Sequence, residues 1–446
     1  MNATEIARAV RSGERSAFGL IESCLDRVTQ RDGTINAVTR LLSERALDQA
    51  RRIDALVAEG IDPGPLAGVP FGIKDLFDVQ GLVTTAGSKV LAGEAPADCD
   101  ALLVSRLIEA GAIPLATTNM DEFAYGFATD NAHYGMTKNP HDGARLAGGS
   151  SGGSAAGVAA GYFPLSLGSD TNGSIRVPAS LCGVWGLRAT QGLLPVSGSY
   201  PFVASLDTVG PFTASAADMR VMVEVLSASS LAQVDVAGLK MARLGGWFAQ
   251  DMSPEMEAAL AAFCTALSIR HEIVLPEVAT ARAAAFVISA SEGAGLHLDR
   301  LRHSPEQYDP AVRDRLLAGA LVPAPHVFRA HKIRHWFRER MHEAFLEADI
   351  LVAPAVVGPA PRIDAPVIEI GGQPVSARAN LGLYTQPLTL AGFPVLTVPL
   401  AIDANVGSGM PLGVQLVAQP GREDRLVALG EALERAGVAR ARILED

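Results

Sequence analysis

Three residues of this chain could together run acyl-transfer chemistry: Lys74, Ser150 and Ser174. Lysine is scarce, with only Lys74, Lys89, Lys138, Lys240 and Lys332 present. Lys74 follows Val69-Pro70-Phe71-Gly72-Ile73, a run that reads as a buried strand. Burial penalises an ammonium, so the pKa should fall and the neutral amine becomes usable as a base. A strand-end lysine paired with Asp75 is the blander alternative. The serines lie in RLAGGSSGGSAAGVAAGYFPLSLGSDTNGSIRVPAS, residues 145–180, which carries no charge from Leu146 to Ser169. A serine in a Gly-rich turn is usually a turn or cap residue. Served by a base that accepts its proton, the same hydroxyl becomes a nucleophile.

The end of that stretch could serve the second need of acyl transfer, a place for an oxyanion. Successive backbone N–H groups of Thr171, Asn172, Gly173 and Ser174 can form a nest, with a critical donor worth roughly 3–4 kcal/mol. Asp170 and Arg176 flank it and are expected to pair and hold the loop.

These residues need a scaffold, and the pattern around them alternates. Residues 1–62 read as helices, among them TEIARAVRSG, SAFGLIESCLDRVTQRDG and LLSERALDQARRIDALVAEG, before Pro63-Gly64-Pro65. From 63 to 215, GVPFGIKDLF, AIPLATTNM and LSLGSD read as strands, and ALLVSRLIEAG and SAAGVAAGYF as helices. Helical patterns dominate 216–345, including DMRVMVEVLSAS and HVFRAHKIRHWFRERMHEAFLEA. The part from 346 to 446 returns to strands, ILVAPAV, PVLTVPLAI and PLGVQLVAQ, before a last helix. Strands at both ends with no clear linker predict one α/β domain over 1–446, its mixed central sheet covered by helices.

Composition excludes several function classes. The chain has 446 residues, 48% of them apolar, and a net charge of −11, which gives no footprint for nucleic acid or an anionic membrane. The N-terminus has no apolar signal region, and the uncharged run is Gly/Ser-rich and broken by Pro164, unlike a spanning helix. Cys24, Cys99, Cys182 and Cys264 form no CxxC and read as free thiols, so the cytoplasm is the expected compartment. His331 and His335 stand four apart on a helix, with His342 beyond. No carboxylate-bearing zinc motif surrounds them, so no metal site is expected.

Three blocks in order, GPLAGVPFGIKD, GGSSGGSAAGVAAG and GSDTNGSIRVPASLCGVWGLRAT, resemble the amidase signature family. ILVAPA, LTLAGFPVLTVP and PLGVQLVA are similar to it too, so the resemblance spans nearly the whole chain. It implies the amidase signature fold and hydrolysis of a linear amide through an acyl-enzyme. Ser174 would be the nucleophile, Ser150 in a cis peptide the relay, and Lys74 the base, with no metal or organic cofactor. The resemblance also implies a small helical partner like the C component of the amidotransferases, and a homodimer or heterotetramer. Two departures stand out. Asn172 occupies a position where glycine is usual, so it is expected to narrow the site or contact substrate. Arg188-Ala189-Thr190-Gln191 replaces a Lys-Pro-Thr turn, which is expected to change only local loop geometry.

Within the family, SGSYPFV, EGAGLHLDRLR and YDPAVRDRLLAGALVPA are most similar to the branch that hydrolyses 1-carboxybiuret in cyanuric acid breakdown. That likeness implies an anionic, urea-like substrate and release of ammonia. A carboxylate wants a guanidinium; Arg315 is the candidate, with Arg313 as fallback. A solvated arginine on an amphipathic helix is the plainer reading of Arg315. The glutaminase components of glutamyl-tRNA amidotransferases are the rival, and broad-specificity small-amide amidases a further alternative. In the glutaminases an aspartate before the LAG-x-P block holds an ammonium, where this chain has Gly382. A scaffold that has lost the reaction is disfavoured, because Lys74, Ser150 and Ser174 are all present.

Overall fold

A computed structural model describes residues 2–401 and 407–444. Eleven strands build its central sheet: β1 (Val38–Leu41), β2 (Pro70–Lys74), β3 (Ile113–Thr118), β4 (Leu165–Asp170), β5 (Trp185–Arg188), β6 (Thr208–Thr213), β7 (Met241–Leu244), β8 (His271–Ile273), β9 (Ile350–Pro354), β10 (Val395–Pro399) and β11 (Gly413–Val417). Their spatial order is β1-β3-β2-β4-β6-β5-β10-β11-β9-β7-β8. The sheet is mixed. β3, β2 and β4 run parallel, as do β9, β7 and β8, and antiparallel pairs join the two groups. Every residue of β2, β3, β4, β5, β6, β9, β10 and β11 is buried, so both faces are covered. That is why these strands read as continuous apolar runs without alternation.

The helices are α1 (Ala3–Arg11), α2 (Ala17–Ile35), α3 (Ser43–Ala58), α4 (Leu102–Glu109), α5 (Gly152–Ala159), α6 (Arg176–Cys182), α7 (Ala216–Ser227), α8 (Pro254–Ala266), α9 (Val278–His303), α10 (Pro310–Gly319), α11 (Ala324–Ala344), α12 (Ala377–Asn380), α13 (Thr385–Ala391) and α14 (Glu423–Arg435). The uncharged run is α5 followed by β4, wholly buried across both. Among the described residues no helix is long and apolar enough to cross a membrane.

Register positions the chemistry. β2 and β4 are parallel neighbours with Phe71 opposite Leu165 and Ile73 opposite Leu167, so their C-terminal ends, Lys74 and Ser169-Asp170, come side by side. Carboxyl ends of strands in open α/β sheets are where ligand sites form.

Three short strands depart from the sequence reading. β1 lies in the N-terminal stretch read as helical, and β7 and β8 lie in the region read as helix-dominated. Each has three or four residues, too few for either period to show. The expected strand over PVLTVPLAI ends at Pro399, and its last residue, Ile402, lies outside the described residues.

Candidate active site

Lys74 ends β2 fully buried, and its Nζ bonds to two hydroxyls, Ser150 Oγ at 2.7 Å and Ser169 Oγ at 2.8 Å. Burial pulls its pKa from 10.5 to about 7, against the opposing pull of Asp121, Asp170 and Asp207. The amine is therefore available in neutral form near neutral pH, and its lone pair can accept one of those hydroxyl protons. The alternative pairing with Asp75 is not formed. The Asp75 carboxylate accepts from Thr85 Oγ1, and burial pushes its pKa up to about 6.

Ser150 follows a cis peptide bond from Gly149. Its carbonyl accepts from Asp121 N–H at 3.2 Å and from Thr129 Oγ1 at 3.4 Å, and the next amide, Ser151 N–H, donates to Ser174 O at 3.3 Å. The two serine segments are thus tied backbone to backbone. Ser174 is buried, and its hydroxyl makes no hydrogen bond among the described residues.

Asp170 organises the turn that carries Ser174. Its Oδ1 accepts from Gly173 N–H at 2.8 Å and Arg176 Nη2 at 3.0 Å; Oδ2 accepts from Ile175 N–H at 3.2 Å and Arg176 Nε at 3.0 Å. Burial alone would raise this carboxyl, but Arg176 and Arg188 hold it well below the usual carboxylate range. Arg176 is fully buried and donates further to Thr385 O at 2.9 Å, Gln415 Oε1 at 2.8 Å and Thr389 Oγ1. The expected Asp170–Arg176 pair is present and has a third member. Arg188, expected to alter only loop geometry, is buried, ion-paired to Asp170 Oδ1 at 3.1 Å, and bonded to Asp170 O, Thr208 Oγ1 and Leu206 O. A buried guanidinium needs this many acceptors because each unpaired donor is costly.

The same network narrows the amide nest. Gly173 N–H is committed to Asp170, which leaves Thr171, Asn172 and Ser174 as the amides that donate to nothing among the described residues. Gly173 is required by close approach: at φ +132° a Cβ there would lie 2.0 Å from Thr385 Oγ1, which donates to Asn172 O at 2.7 Å. Asn172 Nδ2 donates to Ser289 Oγ of α9 at 2.8 Å. Beside this turn a cavity of about 90 Å³ is lined by Ser169, Thr171, Asp207, Tyr200, Phe202 and Leu76 among others.

Arg315 projects from α10, whose first turn is capped by Asp309. Its guanidinium lies 3.7 Å from the Tyr125 ring centroid and donates to Tyr125 O at 3.0 Å, with no carboxylate in ion-pair contact among the described residues. Burial lowers its pKa, and the Tyr125 ring packs at a tilt of 42° against that of Phe202, a cavity-lining residue, with centroids 4.6 Å apart. Arg313, the fallback, is instead bonded to Asp314 at 2.9 Å. At Gly382 a Cβ would come within 2.5 Å of the Phe127 ring, so that ring occupies the space a side chain would need.

The histidines do not converge. His331 lies 4.0 Å from Glu292, His342 packs on Phe393, and His335 is exposed. No group able to hold a metal occurs among the described residues. Sequence reasoning missed Ser169, Arg188 and Asp121. The first was legible only as a polar residue ending an apolar strand next to the one that carries Lys74.

The arrangement offers a buried amine near its neutral form bonded to two serine hydroxyls, a third serine on a segment tied to that of Ser150, and three open amides on one turn, which suits acyl transfer from an amide. Comparison with known proteins agrees. A family model described as Amidase matches residues 19–427. The chain is 44% identical to AtzE, the 1-carboxybiuret hydrolase component of Pseudomonas sp. (strain ADP), covering 99% of both chains. It is 32% identical to the A component of the glutamyl-tRNA(Gln) amidotransferase of Chloroflexus aurantiacus, covering 98% of this chain and 96% of that one. A solved structure described as a vestigial protein complex of an s-triazine catabolic enzyme superposes with a TM-score of 0.94 at 44% identity, over 99% of this chain and 100% of that one. Fold, site and relatives therefore agree, and this chain belongs to the amidase signature family of amidohydrolases.

Proposed function

We propose that this enzyme hydrolyses the terminal amide of a small carboxylated urea-like compound, 1-carboxybiuret, and releases ammonia. The observation that carries the substrate class is Arg315. Its guanidinium is partly withdrawn from solvent, lies over the Tyr125 ring and donates to the Tyr125 carbonyl, and among the described residues only the more distant Asp121 carboxylate attracts it. A partly buried guanidinium with no carboxylate in ion-pair contact among the described residues can take the carboxylate of a substrate. The Phe127 ring beside Gly382 supports the same reading, because a glutamine-type substrate would need a carboxylate there for its ammonium.

In this reading Ser174 Oγ attacks the amide carbon while Ser150 takes its proton and passes its own to neutral Lys74. The oxyanion is held by the amides of Thr171, Asn172 and Ser174. The proton returns through Ser150 to the leaving nitrogen, the C–N bond breaks, and ammonia departs. Water then attacks the acyl ester, giving its proton back along the same path, and Ser174 is regenerated. The protein complex described for the similar solved structure supports a protein partner, taken here to be a small helical one, and the lack of any disulfide among the described cysteines suits a reducing compartment such as the cytoplasm.

The decisive assay is ammonia release from 1-carboxybiuret, allophanate, biuret, glutamine and acetamide. The carboxylated compounds should be preferred over acetamide. Preference for acetamide would remove Arg315 from the mechanism, and preference for glutamine would move the chain to the glutaminase branch.

A further inference from the structure

Given Lys74 as the base of the proposed hydrolysis, we infer that Asp121 is a positioning residue for proton transfer: its main chain fixes Ser150, and its carboxylate supplies the negative charge that Lys74 meets on taking up a proton. Asp121 is fully buried in the loop after β3. Its N–H donates to Ser150 O at 3.2 Å, and Ser150 Oγ is the hydroxyl 2.7 Å from Lys74 Nζ. Its Oδ2 accepts from Ala128 N–H at 3.2 Å and from Thr129 N–H at 2.8 Å. Thr129 in turn holds both sides of the serine segment, with Oγ1 donating to Ser150 O at 3.4 Å and accepting from Gly152 N–H at 2.9 Å.

Close backbone on two sides keeps this carboxylate from turning away. A Cβ at Gly149 would lie 2.2 Å from Oδ2, and one at Gly126 would lie 2.4 Å from Oδ1. Thr129 is held at φ +50°, a conformation that a β-branched residue adopts only when its surroundings impose it. Here the Asp121 bonds to the Ala128 and Thr129 amides are part of what imposes it.

Three carboxylates attract the Lys74 amine: Asp121 most strongly, then Asp170 at the end of β4 and Asp207 ahead of β6. The last two are engaged at both oxygens. Asp170 accepts from two amides and is ion-paired to Arg176 and Arg188. Asp207 Oδ1 accepts from Thr171 Oγ1 at 2.6 Å, and Oδ2 from the N–H groups of Phe202 and Val203 at 2.8 and 2.9 Å. Among these oxygens only Asp121 Oδ1 accepts no hydrogen bond from the described residues. Besides Lys74, the cations that face Asp121 are Arg378 of α12 and the more distant Arg315 of α10. Arg378 Nε stands 3.8 Å from Oδ1, too far for a hydrogen bond, and its Nη2 is given to Asp309 at 3.1 Å. Burial raises the Asp121 pKa, while Arg378, the two amides and Lys74 pull toward the ionised form. A bare carboxylate oxygen in the interior is costly. Its charge serves the moment when the neighbouring amine becomes an ammonium, which the same burial penalises.

The pH dependence of log kcat/KM for ammonia release from the preferred substrate tests this on the full-length protein, with urea denaturation reporting that each variant is folded. Asp121→Asn keeps the shape and an acceptor for the Ala128 and Thr129 amides but removes the charge. The ammonium is then less stabilised, so the acid limb near pH 7 should move down by about one pH unit and the plateau should fall up to about tenfold. Arg378→Met removes a cation that competes for the same carboxylate. The proton that Lys74 and Asp121 share is then held more tightly, so the limb should move up, and this variant decides alone if Asp121→Asn does not fold. Thr129→Val loosens the hold on Ser150 without changing any charge, so it should lower the plateau and leave the limb in place. A limb unmoved by Asp121→Asn, one not raised by Arg378→Met, or one moved as far by Thr129→Val as by Asp121→Asn would each overturn the role of Asp121 and leave Lys74 as the base. A wild type with no acid limb would overturn both.

Discussion

Replacing Lys74 by methionine separates the chemistry from the stability of the fold. The amine is held near pKa 7 in place of 10.5, chiefly by burial. At 1.36 kcal/mol per pKa unit, that difference is roughly 5 kcal/mol of folding free energy forgone at pH 7 and below. The sign follows from proton binding. Between the two values the unfolded chain keeps the lysine proton and the native protein does not, so stability from this group rises with pH across that window. The penalty is complete below about pH 7 and gone by about 10.5. Methionine fills a similar volume without a charge, but it leaves the Ser150 and Ser169 hydroxyls without their amine partner, at about 1–3 kcal/mol each. Those losses do not depend on pH. Urea denaturation of wild type and Lys74→Met between about pH 7 and 9.5 should therefore show the variant's relative stability falling by about 1.4 kcal/mol per pH unit, whatever the offset. In the wild type, log kcat/KM for ammonia release should fall with unit slope below about pH 7 and level off above it. A stability difference that stays flat over this range, or a rate profile without an acid limb near 7, would refute a neutral-lysine base.

Other perturbations probe other parts of the site. Ser169→Ala removes one of the two hydroxyls on Lys74 Nζ and should lower kcat by about tenfold and move the acid limb to lower pH, because a bond to the charged amine is lost. The pH–rate profile of the variant checks this, and an unchanged limb would make Ser169 a bystander. Arg315→Met should raise KM for a carboxylated substrate by roughly 10- to 100-fold and leave a neutral amide unaffected, read from parallel titrations of the two. Asp170→Asn strands Arg176 and Arg188 in the interior and should destabilise the protein by about 3–5 kcal/mol in urea denaturation, with Ser174 inactive as the turn loosens.

Much of the site was legible because its parts are local. Ser150 and Ser174, proposed as relay and nucleophile, and the amide turn lie within one run of small residues, and a crowd of glycines and serines between apolar flanks signals close backbone approach wherever it occurs. The Asp170–Arg176 pair was legible for the same reason, six residues apart on one turn. Long strands and helices announced themselves by period and length, whereas β1, β7 and β8 join the sheet through pairing with distant strands and carry no period of their own.

What the sequence by itself determined is the chemistry: which side chains can attack, relay and accept a proton, and which scaffold class can hold them. Tertiary structure alone decided how those groups behave. The parallel register of β2 with β4 brings Lys74 to Ser169, and burial, which no residue type encodes, turns its ammonium into a base. The interior also drew Arg188 to Asp170, gave the Gly173 amide to that carboxylate, and set the Phe127 ring against Gly382. Some of these contacts join residues far apart in the chain and one lies within a single turn, but the energies of all depend on distance and solvent exclusion, quantities that exist only once the chain has folded.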